Sequence, residues 1–198
     1  MAIYLYTGTP GSYKSYHATK IALRQLRSGG NLITNFPVAY KKKHTGTYQF
    51  LTDDQITVEY LVDFAVNHHH KGCKAQTLVI IDEASIKFNC RDFARKDRMK
   101  WIKFLACHRH YNYDIILICQ NDIMIDKQIR GFIETEYKFR ALKNFKTIGW
   151  ILNLIFRGCY MCVEVWYPIR RKASSDFFVF NKKIAQAYDT MAMFGGSL

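Results

Sequence analysis

Only three prolines occur in 198 residues. So few, in a chain that is 49% hydrophobic, exclude a disordered segment as the main reading and leave one packed domain. Acidic residues are scarce too: 16 against 29 Lys and Arg, a net charge of +13. That balance favours an anionic partner, whether nucleic acid, an anionic membrane face or nucleotide, without choosing among them. Long apolar runs are missing. The nearest candidate, residues 148–156, is broken by Asn153 and stops at Arg157, so no membrane-spanning helix is expected. The apolar run at the N-terminus is too short for a signal peptide. Six cysteines are too few for a secreted disulfide scaffold, so reduced thiols and a cytoplasmic chain are expected. Cys159 and Cys162 form a lone CxxC with no second ligand pair, which reads as a strand with packed cysteines.

What is present begins at residue 3. The β-rich run of residues 3–6 opens into Gly8, Thr9, Pro10, Gly11, Ser12 and Tyr13, closes on Lys14 and Ser15, and passes into an amphipathic helix that ends near Arg27 before Gly29 and Gly30. Strand, glycine loop, Lys-Ser and helix is the context of a phosphate-binding P-loop. One position departs from G-x-x-x-x-G-K-[ST]: Tyr13 stands where the second glycine belongs. A side chain there strains a backbone position that often needs positive φ, at a cost of roughly 1–3 kcal/mol.

Residues 31–35 read as a second strand beside the first. Asp53 and Asp54 read as the cap of a helix whose face carries Ile56, Tyr60, Leu61, Phe64 and Ala65. The basic loop of Lys41, Lys42, Lys43 and His44 reads as a solvated turn. His68, His69 and His70 cannot share one helical face, nor can His108 and His110, so neither group suggests a metal site. A basic segment with Arg95, Lys96, Arg98, Lys100 and Lys103 reads as a helix with Trp101, Phe104 and Leu105 on its apolar face, ending at His108-Arg109-His110. Asp126 reads as the cap of a short helix, and residues 137–142 as an alternating strand. Residues 148–167 read as two strands joined by a tight turn at Gly158, followed by a strand over 176–180 and a helix over 182–188. A nucleotide-binding core over 1–145 and a β-rich extension over 146–198 therefore make one unit.

Residues 77–81 (TLVII) and 113–119 (YDIILIC) are continuous apolar runs, which suits central strands of a parallel sheet covered on both faces. Each ends in polar residues: Asp82-Glu83 in one case, Gln120 in the other. Ligand sites of α/β sheets form at such strand ends. An acidic pair about 70 residues after a P-loop reads as the element that organises Mg²⁺ through Asp82 and positions water through Glu83.

TGTPGSYKS, LVIIDEAS, FNCR, HRHYNYDIILICQND, MIDKQIRG and AYDTMAMF, in this order, resemble the filamentous-phage assembly ATPases, also called the zonular occludens toxin-like (Zot-like) family, within the FtsK–HerA group of P-loop motors. The resemblance implies a three-layer α/β fold: an additional-strand, RecA-like P-loop NTPase with a mainly parallel sheet and the sensor strand between the two Walker strands. It implies ATP and Mg²⁺ as cofactors. Lys14 and Ser15 match the Walker A pair, Asp82 and Glu83 the Walker B pair, with Ser15 and Asp82 on Mg²⁺, and Gln120 the sensor. Arg91 and Arg109 match basic positions, either of which serves as a trans-acting finger if the chain forms a homo-oligomeric ring. The implied role is extrusion of phage at the inner face of the host inner membrane, with phage DNA or coat proteins as partners. The family's toxin label finds no support in these residues. Relatives in the family continue into a membrane helix after the YDT element, so the expected tether is a separate partner or lipid. Two alternatives stay open on the residues: a nucleotide-binding adaptor that does not hydrolyse, and a basic DNA-binding module with a degenerate P-loop.

Overall fold

The computed structural model describes residues 1–40, 43–70, 73, 75–92, 94–142 and 158–188. An eight-stranded sheet runs through all of it. Its strands are β1 (Ile3–Thr7), β2 (Asn31–Thr34), β3 (Tyr48–Phe50), β4 (Thr77–Ile81), β5 (Tyr113–Ile118), β6 (Thr135–Ala141), β7 (Cys159–Trp166) and β8 (Arg171–Val179). The order is β3-β2-β4-β5-β1-β6-β7-β8. The first six are parallel, and β7 and β8 add antiparallel to the β6 edge. β5 lies between β1 and β4, as the resemblance implies.

Alternation along the central strands makes two cores. Leu78, Ile80, Ile116 and Ile118 face α1 (Lys14–Arg27), which buries Ala18, Ala22 and Leu26 against them. Val79, Ile81, Ile115 and Leu117 face α2 (Val58–His68) and α4 (Arg98–Cys107), through Leu61, Phe64, Trp101, Phe104 and Leu105. Strands buried on both faces read as unbroken apolar runs for this reason. The result is the three-layer α/β P-loop fold. Shorter helices are α3 (Ala84–Lys87), α5 (Lys127–Arg130), capped by Asp126 as expected, and α6 (Lys182–Ala185).

Three expectations need correction. β2 does not lie beside β1: both edges of β1 are taken by β5 and β6, and β2 pairs with β3 and β4. α2 is capped by Thr57, which has extended backbone and accepts the Tyr60 N–H (3.1 Å). Asp53 is instead occupied by the Asn35 amide (2.8 Å). The expected hairpin over 148–167 is not made by β7, whose edges are taken by β6 and β8. Residues 148–156, Lys41, Lys42 and the end of the YDT element lie outside the described residues. β8 begins five residues before the expected 176, over a polar stretch that mostly faces solvent. Cys159 and Cys162 are buried strand residues, and His69 is bound to the Tyr111 carbonyl (2.7 Å) and the Thr77 hydroxyl (2.5 Å).

The second core continues onto β6–β8. There His17 packs among Tyr6, Phe139, Tyr160 and Phe178, with Nδ1 2.9 Å from the Tyr160 hydroxyl. Burial, then the charges of Lys20 and Arg24, push its pKa down to about 4. The unfolded chain binds this proton near the ordinary value of about 6.5, so protonation opposes folding and stability falls as pH drops through the window between the two values. The loss reaches about 3 kcal/mol once both are passed. Urea unfolding of wild type and His17→Gln should therefore converge by up to that amount between pH 7 and pH 4. A gap that is independent of pH would show that His17 is not the group responsible.

Candidate nucleotide-binding site

The loop between β1 and α1 is shaped by four backbone positions. Gly8 has φ +148°, and a Cβ there would meet the Phe139 carbonyl oxygen at 2.4 Å and Ser12 Oγ at 2.6 Å. Its N–H donates to the Gln120 carbonyl (3.3 Å), tying the loop to the end of β5. The Ser12 N–H donates to the Thr9 carbonyl (3.2 Å), and Gly11 is left-handed at φ +72°. Tyr13 is left-handed as well, with φ 73° and ψ 19°. Its ring stacks on Tyr160 (centroids 5.0 Å, planes 19° apart) and touches Tyr16 and Phe180. Each aromatic pair contributes about 0.5–1.5 kcal/mol beyond area burial, enough to offset the backbone cost of roughly 1–2 kcal/mol.

Lys14 arches over this loop, its Nζ donating to the carbonyls of Gly8 (2.8 Å) and Thr9 (3.2 Å). Burial holds its pKa below the ordinary value, against the pull of Glu83 and Asp82. Ser15 Oγ donates to Asp82 Oδ2 at 2.6 Å, joining the P-loop helix to the end of β4. Asp82 is buried and closely held. Its N–H donates to Asn35 Oδ1 (2.7 Å), its carbonyl accepts from Asn35 Nδ2 (2.8 Å), and its Oδ1 accepts the Glu83 N–H (2.9 Å). Glu83 is left-handed (φ 48°). Burial, then the Asp82 charge, raises its carboxyl pKa, while Lys14 pulls the other way.

Gln120 stands exposed after β5 and lines a cavity of about 450 Å³ with Thr7, Gly8, Thr9, Lys138 and Arg140. Beneath it the buried Glu136 accepts from the Thr7 hydroxyl (2.7 Å) and from Arg170 (3.2 Å), and Arg170 also binds Asp122 (2.7 Å). The structure thus brings together Lys14, Ser15 and Asp82, sets Glu83 beside them, and joins Gln120 to Gly8. It does not bring Arg91 or Arg109 to them: among the described residues, neither hydrogen-bonds the P-loop, Asp82, Glu83 or Gln120. Arg91 is exposed on the turn after α3, and Arg109 pairs with Glu134 (2.6 Å), just ahead of β6. Sequence reasoning passed over Asn35, Tyr188, Glu136 and Arg140. Asn35 carried a usable signal, since it ends a buried strand at the same sheet edge as Asp82 and Gln120.

These residues fit a Mg²⁺-nucleotide. Ser12 Oγ is buried in the loop without a hydrogen-bond partner, which an anion or its hydration would satisfy. A hydroxyl and a carboxylate oxygen 2.6 Å apart are hard oxygen donors of the kind Mg²⁺ prefers.

Replacing Tyr13 separates its two effects. Tyr13→Ala loses the stack and keeps a strained Cβ at positive φ, whereas Tyr13→Gly loses the stack and the strain together. Urea unfolding should find Tyr13→Ala the less stable of the two by about 1 kcal/mol, with both below wild type. Equal midpoints for the two variants would remove the strain from the account.

The family model for zonular occludens toxin (Zot) matches residues 2–174. The Gene 1 protein of Salmonella phage IKe is 26% identical over 210 residues, covering 98% of this chain and 58% of that protein. The chain thus spans under two thirds of that relative's length. Among solved structures, the N-terminal domain of zonular occludens toxin from Neisseria meningitidis superposes with a TM-score of 0.59 at 22% identity, covering 95% of this chain and 98% of that one. The genome packaging NTPase B204 from Sulfolobus turreted icosahedral virus 2, in complex with ATP-gammaS, gives 0.56 at 13% identity, covering 89% and 96%. With the family model matched along most of its length, the chain belongs to the zonular occludens toxin (Zot) family.

Proposed function

We propose that the chain is a single ATP-hydrolysing P-loop unit that drives assembly and extrusion of a filamentous phage at the inner face of the host membrane. The observation that supports the site is the 2.6 Å hydrogen bond from Ser15 to Asp82, which joins the two side chains read as Walker A and Walker B. The likeness to a phage Gene 1 protein and to a packaging NTPase with ATP-gammaS supports the biological half of the reading.

In this reading the backbone N–H groups of residues 9–15, with the N-terminus of α1, cradle the phosphates. Lys14 leaves its loop carbonyls and neutralises phosphate charge. Ser15 and Asp82 would hold Mg²⁺, which when bound would neutralise charge developing on the phosphates. Glu83, whose raised pKa makes it a better proton acceptor than a solvated carboxylate, orients and deprotonates the attacking water. Gln120, backed by its carbonyl bond to Gly8, reports phosphate occupancy to the end of β5. The left-handed backbone of Tyr13 supports a working loop over a degenerate one.

A homo-oligomeric ring allows an arginine to act in trans. Arg91, exposed and without a side-chain partner among the described residues, is the readier finger, since Arg109 is engaged by Glu134. Phage DNA or coat protein is the proposed cargo. No helix among the described residues is long and apolar enough to cross a membrane. Lipid headgroups or a separate partner are the proposed contact with the host membrane.

Glu83→Gln should lower ATP turnover by about 10²–10⁴-fold while keeping nucleotide binding, and Lys14→Ala should lose both. A steady-state phosphate-release assay beside nucleotide titration checks this. Full turnover in both variants would overturn the reading.

A further inference from the structure

Asp82 Oδ2 accepts a second hydroxyl besides that of Ser15. Tyr188 Oη lies 3.3 Å away. Nothing in the P-loop mechanism uses this residue, yet it is firmly seated. Tyr188 forms an antiparallel bridge with Val38, the Ala39 N–H donates to the Ala187 carbonyl (2.9 Å), and the Tyr188 ring stands edge-on to Phe36 (5.3 Å, 74°). Phe36 and Val38 are buried and come directly after Asn35, whose amide clamps the Asp82 backbone. Tyr188 therefore holds the carboxylate of Asp82, and Asn35 its backbone, from one platform.

The other end of this segment is fastened to the P-loop helix. The Asn181 N–H donates to the Tyr16 hydroxyl (2.8 Å), and Ile184, Ala185 and Ala187 join the core that α1 covers. Residues 181–188 thus run from the first turn of α1 to the end of β4, bridging the two elements that must hold a fixed spacing around the cation. Oδ1 is committed to the Glu83 N–H, and Oδ2 is shared by Ser15 and Tyr188. Since Ser15 is itself a proposed metal ligand, Tyr188 is the hydroxyl donor that fixes the rotation of the carboxylate without being one.

We propose that Tyr188 is a positioning residue for Asp82, and that through it the docking of residues 181–188 is coupled to Mg²⁺-nucleotide loading. The inference rests on the reading of Lys14, Ser15 and Asp82 as the nucleotide site. Coupling of this kind is reciprocal: loading tightens the segment, and loosening the segment weakens the cation. A pull on residues 181–188 would then discharge the site.

The test uses Tyr188→Phe, which keeps the ring and the backbone bridge and removes only the hydroxyl, and Tyr16→Phe, which loosens the segment at its far end without touching Asp82. A fluorescent ATPγS analogue is titrated with Mg²⁺, and hydrogen exchange is followed over residues 36–40 and 181–188. The Mg²⁺ midpoint should rise about three- to tenfold in Tyr188→Phe, the loss of one hydrogen bond, with Mg²⁺-free nucleotide binding unchanged. It should rise by a smaller factor in Tyr16→Phe. Loading should slow exchange at Ala39 in wild type and not in Tyr188→Phe. Unchanged midpoints in a wild type that binds Mg²⁺-ATPγS would overturn this inference alone. A wild type that binds none would overturn the nucleotide reading with it.

Discussion

A tyrosine at positive φ is the constraint on which the rest of the molecule depends. The loop must turn left-handed at residue 13 for α1 to start where Lys14 and Ser15 can face the end of β4. Glycine would make that turn without cost. Tyrosine pays roughly 1–2 kcal/mol in backbone strain and recovers it by stacking on Tyr160 and leaning on Tyr16 and Phe180. Tyr160 and Phe180 come from the last quarter of the chain, so β7 and the residue just past β8 hold the loop in shape. The antiparallel wing is thus part of how the first motif of the sequence folds. Glu83 shows the same pattern at the other wall: a left-handed non-glycine residue, at the position proposed to orient water.

Burial decided how much of this was legible. β4 and β5 were readable because a strand covered on both faces has no polar side and must be apolar throughout. Their polar ends were readable because the sheet stops being covered there. α1 and α4 were readable from periodicity. The place of β2 was not readable, since it depends on competition for the edges of β1, and β5 and β6, with several registered pairs each, took both. β8 was half missed because an edge strand with RKAS facing solvent carries no apolar pattern. The cap of α2 went to Thr57 because Asp53 had a distant partner, Asn35, that no local reading could find. The candidate site was legible as a set of residues, but the clamp of Asn35 on Asp82 and the seat of Tyr188 were not, because both join chain positions far apart: 47 residues in one case and 106 in the other.

Electrostatics supports the proposal that the site takes a nucleotide together with its cation. The chain carries +13 overall, yet four of its 16 acidic side chains, Asp82, Glu83, Asp122 and Glu136, gather around the ends of β4 to β6. Two of them are already committed: Glu136 and Asp122 share Arg170. Asp82 and Glu83 have no arginine or lysine in hydrogen-bond contact among the described residues, and Lys14 reaches them only through space. A bare triphosphate would therefore meet two partly desolvated carboxylates across a short gap, with one lysine to compensate. Part of the raised pKa of Glu83, after burial, is that repulsion already present between the carboxylates. In the proposed reading, a divalent cation held by Asp82 would relieve it, so the long-range field would favour the anion while the local carboxylates would favour its arrival with Mg²⁺.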